Sequence, residues 1–294
     1  MNQIYSIEEI KTELNLIKSI EFLKNGFKES DKFAFKLLMH LIYSNKYVGF
    51  YGFSLIKDGE ICGSILTPFQ GHLNDSRNNQ IKVFNLSTWY VDKKSRGLPA
   101  IKHLKYVLNY LKDSIITDYT PGDDVLPLLG SLGFKNMNAF MRRKFKPSIN
   151  SLINHKKISF KKINGGFLKN KFSLLGDPNN LNNVIFFSAE LDNNNLFYFA
   201  GVIKKTKIKG LEIESFYILW NSSFKNIFLY FNQIYLYFLK KYRIFALYSF
   251  VSNDEINEKR FNAKYFKKVP FIIKSFDNVR FISPLNSELS IGKT

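Results

Sequence analysis

Apolar residues along this chain follow two alternating rhythms, one recurring about every 3.6 residues and one about every second residue. Residues 7–43 carry the first. One helical pattern centres on 17–27, and another over 32–43 sets Phe33, Leu37, Leu38, Leu41 and Ile42 on one side. The rhythm then shortens. Residues 49–57 and 60–67 are strand-like runs around Asp58-Gly59, a dipeptide suited to a hairpin turn. A polar loop is expected at 71–80. The stretch 81–91 is apolar at both alternating sets, Ile81, Val83, Trp89 and Val91 against Phe84, Leu86 and Tyr90. That pattern predicts one central strand covered on both faces. After a polar turn at 92–96 and Gly97, helical spacing returns with Ile101, Leu104, Val107, Leu108 and Leu111 on one stripe. A strand at 114–119, a helix at 121–132 and a strand at 134–145 complete this half.

Residues 147–157, polar and rich in Ser, Asn and Lys, read as a linker. Beyond it, 183–190 and 196–204 form a predicted hairpin, and 211–220, 224–241 and 242–251 read as strand, helix and strand. Phe224, Phe228, Phe231, Tyr235 and Phe238 share one helix face and are expected to pack in a core or between domains. Residues 271–276 add a last strand. This order repeats that of the first half. A mixed-sheet α/β (α+β) protein is therefore expected, with domains at 1–146 and 158–294, the second a degenerate copy of the first.

Composition changes the picture in several places. With 294 residues, 45% of them hydrophobic, the chain can bury one large core or two medium ones. The single cysteine, Cys62, excludes an internal disulfide and a multi-cysteine metal site, and is expected to be a small apolar strand residue. The four histidines, His40, His72, His103 and His155, are not at metal-ligand spacing, so no metal is expected. His72, in the polar loop, is the one placed to meet a substrate. The N-terminal stretch has no basic leader with an apolar core, and the longest apolar run, 227–239, is interrupted by Asn232 and Gln233. It falls short of the roughly 20 residues that span a bilayer. A cytoplasmic protein without membrane insertion is expected. The formal charge of +19 suits a polyanionic ligand. Lysine is abundant alongside Asn, Ile and Phe, the drift of an AT-rich genome, so nucleic acid is not the expected partner.

Candidate chemistry concentrates at 81–112. A strand that turns through a basic, glycine-bearing bend into a helix exposes N–H groups at the helix start. There the positive end of the helix dipole favours a phosphate. Pro99 suits the first helical turn, and Lys93, Lys94 and Arg96 add positive charge. An ordinary strand-to-helix connection with surface lysines has the same appearance, since one glycine is a weak fingerprint. The stretch 85–100, NLSTWYVDKKSRGLPA, resembles the acyl-CoA-binding motif of the GNAT acetyltransferase superfamily: a strand, Gln/Arg-x-x-Gly-x-Gly/Ala, then a helix. Lys94 stands where Gln or Arg is usual, Gly97 matches, and Pro99 replaces the last small residue and removes one amide donor. Residues 114–136, closing on Leu132-Gly133-Phe134, are similar to the family's next strand and helix.

The resemblance, which covers 1–146, implies a GNAT fold with acetyl-CoA, or another acyl-CoA, as co-substrate. It sets Trp89, Tyr90 and Val91 along the pantetheine arm and the thioester, and Lys94, Ser95, Arg96, Gly97, Leu98 and Ala100 around the pyrophosphate. Two of the family's usual groups are missing. The 81–91 strand has no glutamate base, which leaves Asp118, or Ser87 and Thr117 ordering a water, to take the ammonium proton. The family's tyrosine acid falls at Leu129, with Tyr119 as the substitute. NLSTWYV and TDYTP are similar to bacterial GNAT proteins of surface-polysaccharide assembly. They imply a small-molecule amine acceptor, an amino-sugar nucleotide. Two rivals stay open: a Fem-type transferase using aminoacyl-tRNA, which tandem basic GNAT-like domains resemble, and a non-catalytic CoA-binding sensor or scaffold. In the second half, Asn221-Ser222-Ser223 precedes the helix without a glycine, which predicts a serine N-cap rather than a CoA loop. An oligomer is compatible with everything above, and neither acyl length nor oligomeric state follows from these residues.

Overall fold

The computed structural model describes residues 4–74, 79–119, 121–136, 139–144, 158–164, 184–191, 195–208, 210–251, 266–269 and 272–274. A strand that periodicity did not announce, β1 (Tyr5–Glu9), opens the chain and pairs antiparallel with β2 (Gly52–Lys57), which pairs in turn with β3 (Glu60–Leu66). Asp58 (φ 52°) and Gly59 (φ 86°) join β2 to β3, both left-handed as a tight hairpin turn with matching twist requires. Helices α1 (Glu13–Phe27) and α2 (Asp31–Ser44) start at Thr12 and Ser30, whose hydroxyls accept from the Asn15 and Phe33 N–H groups at 3.2 Å. Their apolar faces, Leu16, Ile20 and Leu23 against Phe33, Leu37 and Leu41, close on each other together with Ile10 and Leu66.

The predicted central strand is in fact two strands. β5 (Gln80–Asn85) lies between β4 (Phe69–Asn74) and the parallel strand β7 (Ile115–Asp118) in one sheet, whereas β6 (Ser87–Val91) pairs with β3 in another. At the crossing, the Leu86 N–H donates to Thr117 O at 2.7 Å and Thr88 adopts φ 49°. A β-branched residue held there costs about 1–3 kcal/mol. Alternation cannot expose this break, because both pieces have strand composition and only the pairing partner changes. β4 also corrects the loop expected at 71–80, since 71–74 pair with β5.

Helix α3 (Leu98–Tyr110) buries Leu104, Val107 and Leu108, with Leu111 just beyond, against Phe53, Ile65, Phe84 and Ile116. Ile101 is only partly covered, and His103 takes an inward position at 0% exposure. The predicted helix at 121–132 shortens to α4 (Leu126–Ser131), and the strand at 134–145 divides into β8 (Lys135–Asn136) and β9 (Ala139–Lys144).

The second half supplies β10 (Ser159–Ile163), β11 (Ile185–Leu191), β12 (Asn195–Ile208) and β13 (Leu211–Asn221). Two helices, α5 (Phe224–Leu229) and α6 (Phe231–Tyr242), replace the single one expected, with the break at Tyr230. Then come β14 (Ala246–Val251), β15 (Phe266–Val269) and β16 (Ile272–Lys274). Its core is aromatic: Phe216 stacks on Phe238 at 4.2 Å between centroids and Phe187 on Phe199 at 5.3 Å. Rings of this kind bury about 150–250 Å² each.

Three sheets result, ordered β1-β2-β3-β6, β4-β5-β7-β16-β8 and β10-β11-β12-β13-β14-β9-β15. β9 thus sits among strands of the second half, and β16 among strands of the first. The linker at 147–157, with His155, lies outside the described residues.

Candidate active site

The parallel pairing of β5 with β7 ends at Asn85 opposite Thr117. From there β6 swings to β3 as the last strand of its sheet, so the two parallel strands part and, among the described residues, no strand pairs with the far edge of β6. The Asp92 N–H donates to Cys62 O at 2.8 Å, on the β3 side. By alternation, the N–H and C=O of Val91 face the open side. There Val91 O accepts from Arg96 Nε at 3.1 Å, and the guanidinium carbon lies 5.9 Å from the Tyr90 ring centre. A cavity of about 1070 Å³ occupies the gap. Thr88, Trp89, Tyr90, Val91, Arg96, Ala100 and Leu104 form one wall; Asp118, Pro121, Val125 and Leu129 form another.

The bend between β6 and α3 is shaped by its backbone. Lys93–Ser95 make a single 3-10 turn in which the Ser95 N–H donates to Asp92 O at 2.9 Å. The Ser95 side chain is buried, and its Oγ accepts from the Tyr5 hydroxyl at 3.5 Å, so Ser95 holds the bend from inside. Gly97 has φ 93° and ψ −131°, a conformation essentially reserved for glycine, and an added Cβ would meet nothing within 4 Å. The requirement is therefore conformational, not spatial. Pro99 lies in the first turn, and the Ile101 N–H, 3.0 Å from Gly97 O, makes the first full-turn bond. The amides of Leu98 and Ala100 precede it, with no helical carbonyl to accept from them. Lys94, Gly97 and Leu98 are exposed and are not among the cavity-lining residues.

Of the four residues considered for proton transfer, Asp118 lines the cavity at the end of β7, 9% exposed. Ser87 and Tyr119 do not line it. Ser87 is buried with no hydrogen-bond partner on Oγ, and the Tyr119 hydroxyl donates to Gln70 Oε1 at 3.4 Å. Thr117 Oγ1 is tied into the same buried network, 3.0 Å from Gln70 Oε1 and 3.2 Å from Asn85 Oδ1. Leu129 lines the cavity, so the wall there is apolar. His72 is exposed, edge-on to Phe69, and is not a lining residue. Cys62 is buried, its thiol donating to Leu55 O at 3.4 Å, and burial pushes its pKa up. No cluster of metal-ligating side chains occurs among the described residues, and no helix among them is long and apolar enough to cross a membrane.

Sequence reasoning missed two groups of lining residues. Thr88 gives no sign in the sequence of its left-handed backbone. Lys204, Lys205, Thr206, Lys207, Tyr217 and Leu219 reach the cavity from β12 and β13 through tertiary packing alone.

At the second strand-to-helix bend, Ser223 caps α5 by accepting from the Asn226 N–H at 3.3 Å. The Ser222 N–H donates to Tyr198 O at 2.9 Å, and Ser222 Oγ accepts from the Tyr198 N–H at 2.8 Å. That bend is closed by its own side chains.

No family model matches the chain, and no curated protein sequence matches it. Solved structures do. A GCN5-related N-acetyltransferase from Anabaena variabilis superposes with a TM-score of 0.63 at 10% identity, over 92% of this chain and 72% of its own. One from Kribbella flavida gives 0.62 at 10% identity, over 92% and 71%. An Enterococcus faecalis protein described as a probable N-acyltransferase gives 0.58 at 10% identity, over 92% and 72%. At such identities the likeness concerns architecture: the chain has the mixed α/β GNAT fold, with the parted strands and the glycine-capped helix on one cavity.

Proposed function

We propose that this protein is an acyl-CoA-dependent N-acyltransferase that moves an acetyl group from acetyl-CoA to a primary amine. The observation that carries this reading is the free edge of β6 meeting the glycine-capped start of α3 on one cavity. A pantetheine arm can add to such an edge as a strand does, with the Val91 N–H and, once Arg96 turns away, the Val91 carbonyl as partners. The Leu98 and Ala100 amides, the α3 dipole and the charges of Lys94 and Arg96 then hold the diphosphate. Pro99 withholds one donor from this cradle. Thr88, strained into the left-handed region, breaks the regular run of β6 beside the reacting end. Asp118 takes the proton from the ammonium, and the amine nitrogen attacks the thioester carbonyl with release of the thiol.

The second half is read as a degenerate copy of the same fold. β13, α5, α6 and β14 form a parallel crossover with Ser215 opposite Ala246, as β5, α3 and β7 do with Val83 opposite Ile115. The division 1–146 and 158–294 follows, each part lending the other one strand. The acceptor is a small-molecule amine of the amino-sugar nucleotide type, used in the cytoplasm for surface-polysaccharide assembly. One observation favours a non-catalytic CoA sensor instead: Leu129 puts an apolar side chain where the resemblance looks for an acid.

Calorimetry with acetyl-CoA, followed by thiol release over a panel of primary amines, tests the proposal. Binding with turnover is expected. Asp118→Asn should lower kcat by about 10²–10⁴-fold at unchanged acetyl-CoA affinity. Binding without thiol release for any amine decides for the sensor, and no binding by the wild type removes both.

A further inference from the structure

Resting on the acyltransferase reading, a second feature of the cavity bears on the acceptor. Facing β6, the cavity is walled by Lys204, Lys205, Thr206, Lys207 and Tyr217. Among the described residues, no carboxylate of the second half lines it, whereas the first half contributes three, Glu29, Asp118 and Asp124, against one cation, Arg96. The two walls therefore differ in sign.

The cationic wall is organised and is more than a solvated lysine run. Tyr217 stacks on Tyr248 with 4.3 Å between centroids and 7° between planes. Over that platform sits the partly buried Lys204, its Nζ 5.7 Å from the Tyr217 ring centre. Thr206, on the same strand face as Lys204, has its Oγ1 3.2 Å from the Tyr217 hydroxyl. Burial pushes the Tyr217 pKa up, so the phenol stays a neutral donor. Lys207 alternates to the other face of β12, in register with Glu212, and adds little to this wall. Lys205 contributes less, because it is exposed and its Nζ lies 3.8 Å from Glu212 Oε2.

We infer that the acceptor is an amine that also carries a phosphate group, with its ammonium turned toward Asp118 and its phosphate held by Lys204 and Thr206 beside Tyr217. A phosphate against a cation and hydroxyls gains charge-assisted hydrogen bonds, and the acidic wall opposite repels the reversed orientation. The same phosphate chemistry could come from the 3′-phosphate of CoA, so the test separates the two sources.

Full-length protein saturated with CoA is titrated calorimetrically with glucosamine 6-phosphate, with uridine diphosphate, and with glucosamine, which lacks the phosphate. At least one phosphorylated probe should bind, about tenfold or more tighter than glucosamine. Lys204→Gln should lose about tenfold of that affinity at unchanged acetyl-CoA affinity, and Lys204→Arg should keep most of it, which controls for misfolding. If neither phosphorylated probe binds, or if the glutamine variant binds as the wild type does, the inference is overturned. It is equally overturned if the glutamine variant loses affinity for acetyl-CoA but not for 3′-dephospho-CoA, which assigns Lys204 to the co-substrate. Failure of the wild type to bind acetyl-CoA at all is a different result, and it removes the acyltransferase reading beneath.

Discussion

The chain builds a strand-to-helix bend twice, and the two bends end differently. At 92–97 the helix begins on Gly97, which has no side chain to cap it, and the Leu98 and Ala100 amides have no helical acceptor. At 221–223 it begins on Ser223, whose hydroxyl takes the Asn226 N–H, while Ser222 exchanges hydrogen bonds with Tyr198. One helix start lacks a side-chain cap; the other is completed by the protein itself. The strands beneath follow suit. β6 is the edge of its sheet beside a cavity, whereas β13 is flanked by β12 and β14. Similar local connectivity thus leaves helix-start amides without an acceptor only where the cap has no side chain.

The sharpest way to break this comparison is Gly97→Glu. Nothing lies within 4 Å of the position of the added Cβ, so the fold bears only the φ strain of about 1–3 kcal/mol. A carboxylate where the diphosphate belongs should weaken acetyl-CoA binding by about a hundredfold or more in calorimetry. Undiminished binding would mean that the first bend is as closed to ligands as the second.

Next in size is a pH effect confined to the first bend's helix. His103 on α3 is fully buried, with Nε2–H donating to Phe53 O at 3.2 Å and Nδ1 without a partner. Burial holds its pKa down, from 6.5 to about 4. Between those values the unfolded chain binds a proton that the folded one refuses, so stability falls as pH drops through this window. The loss approaches roughly 3 kcal/mol at pH 4. Chemical denaturation at pH 7 and pH 4.5 measures it, and His103→Leu should flatten that difference.

The smallest effect belongs to the closed bend. Ser223→Ala removes the α5 cap and should lower stability by about 1 kcal/mol, with acetyl-CoA affinity unchanged. A drop in that affinity would show that the second bend takes part in CoA binding after all.

Much of this was legible in advance. The Asp58-Gly59 hairpin, the stripe of Leu104, Val107 and Leu108, the serine cap at Ser223 and the aromatic face with Phe231, Tyr235 and Phe238 all follow local rules of turn, periodicity and capping. The errors share a cause. The 81–91 run breaks at Leu86 because its halves pair with different strands, and residues 134–145 divide between two sheets in the same way. His103 is polar by type yet fully buried, because its position on α3 points into the core. None of these outcomes is written in a run of neighbouring residues.

By itself, the sequence determined the Asp58-Gly59 hairpin, the apolar helix stripes, the glycine that starts α3 and the basic bend before it, because backbone preference and apolar spacing act over a few residues. Only the tertiary structure decided that β6 would be left with a bare edge, that Asp118 and Thr88 would share its cavity, and that lysines more than a hundred residues away would form the facing wall. Those are matters of which segments meet across the fold, and strand pairing over long separations has no local signature.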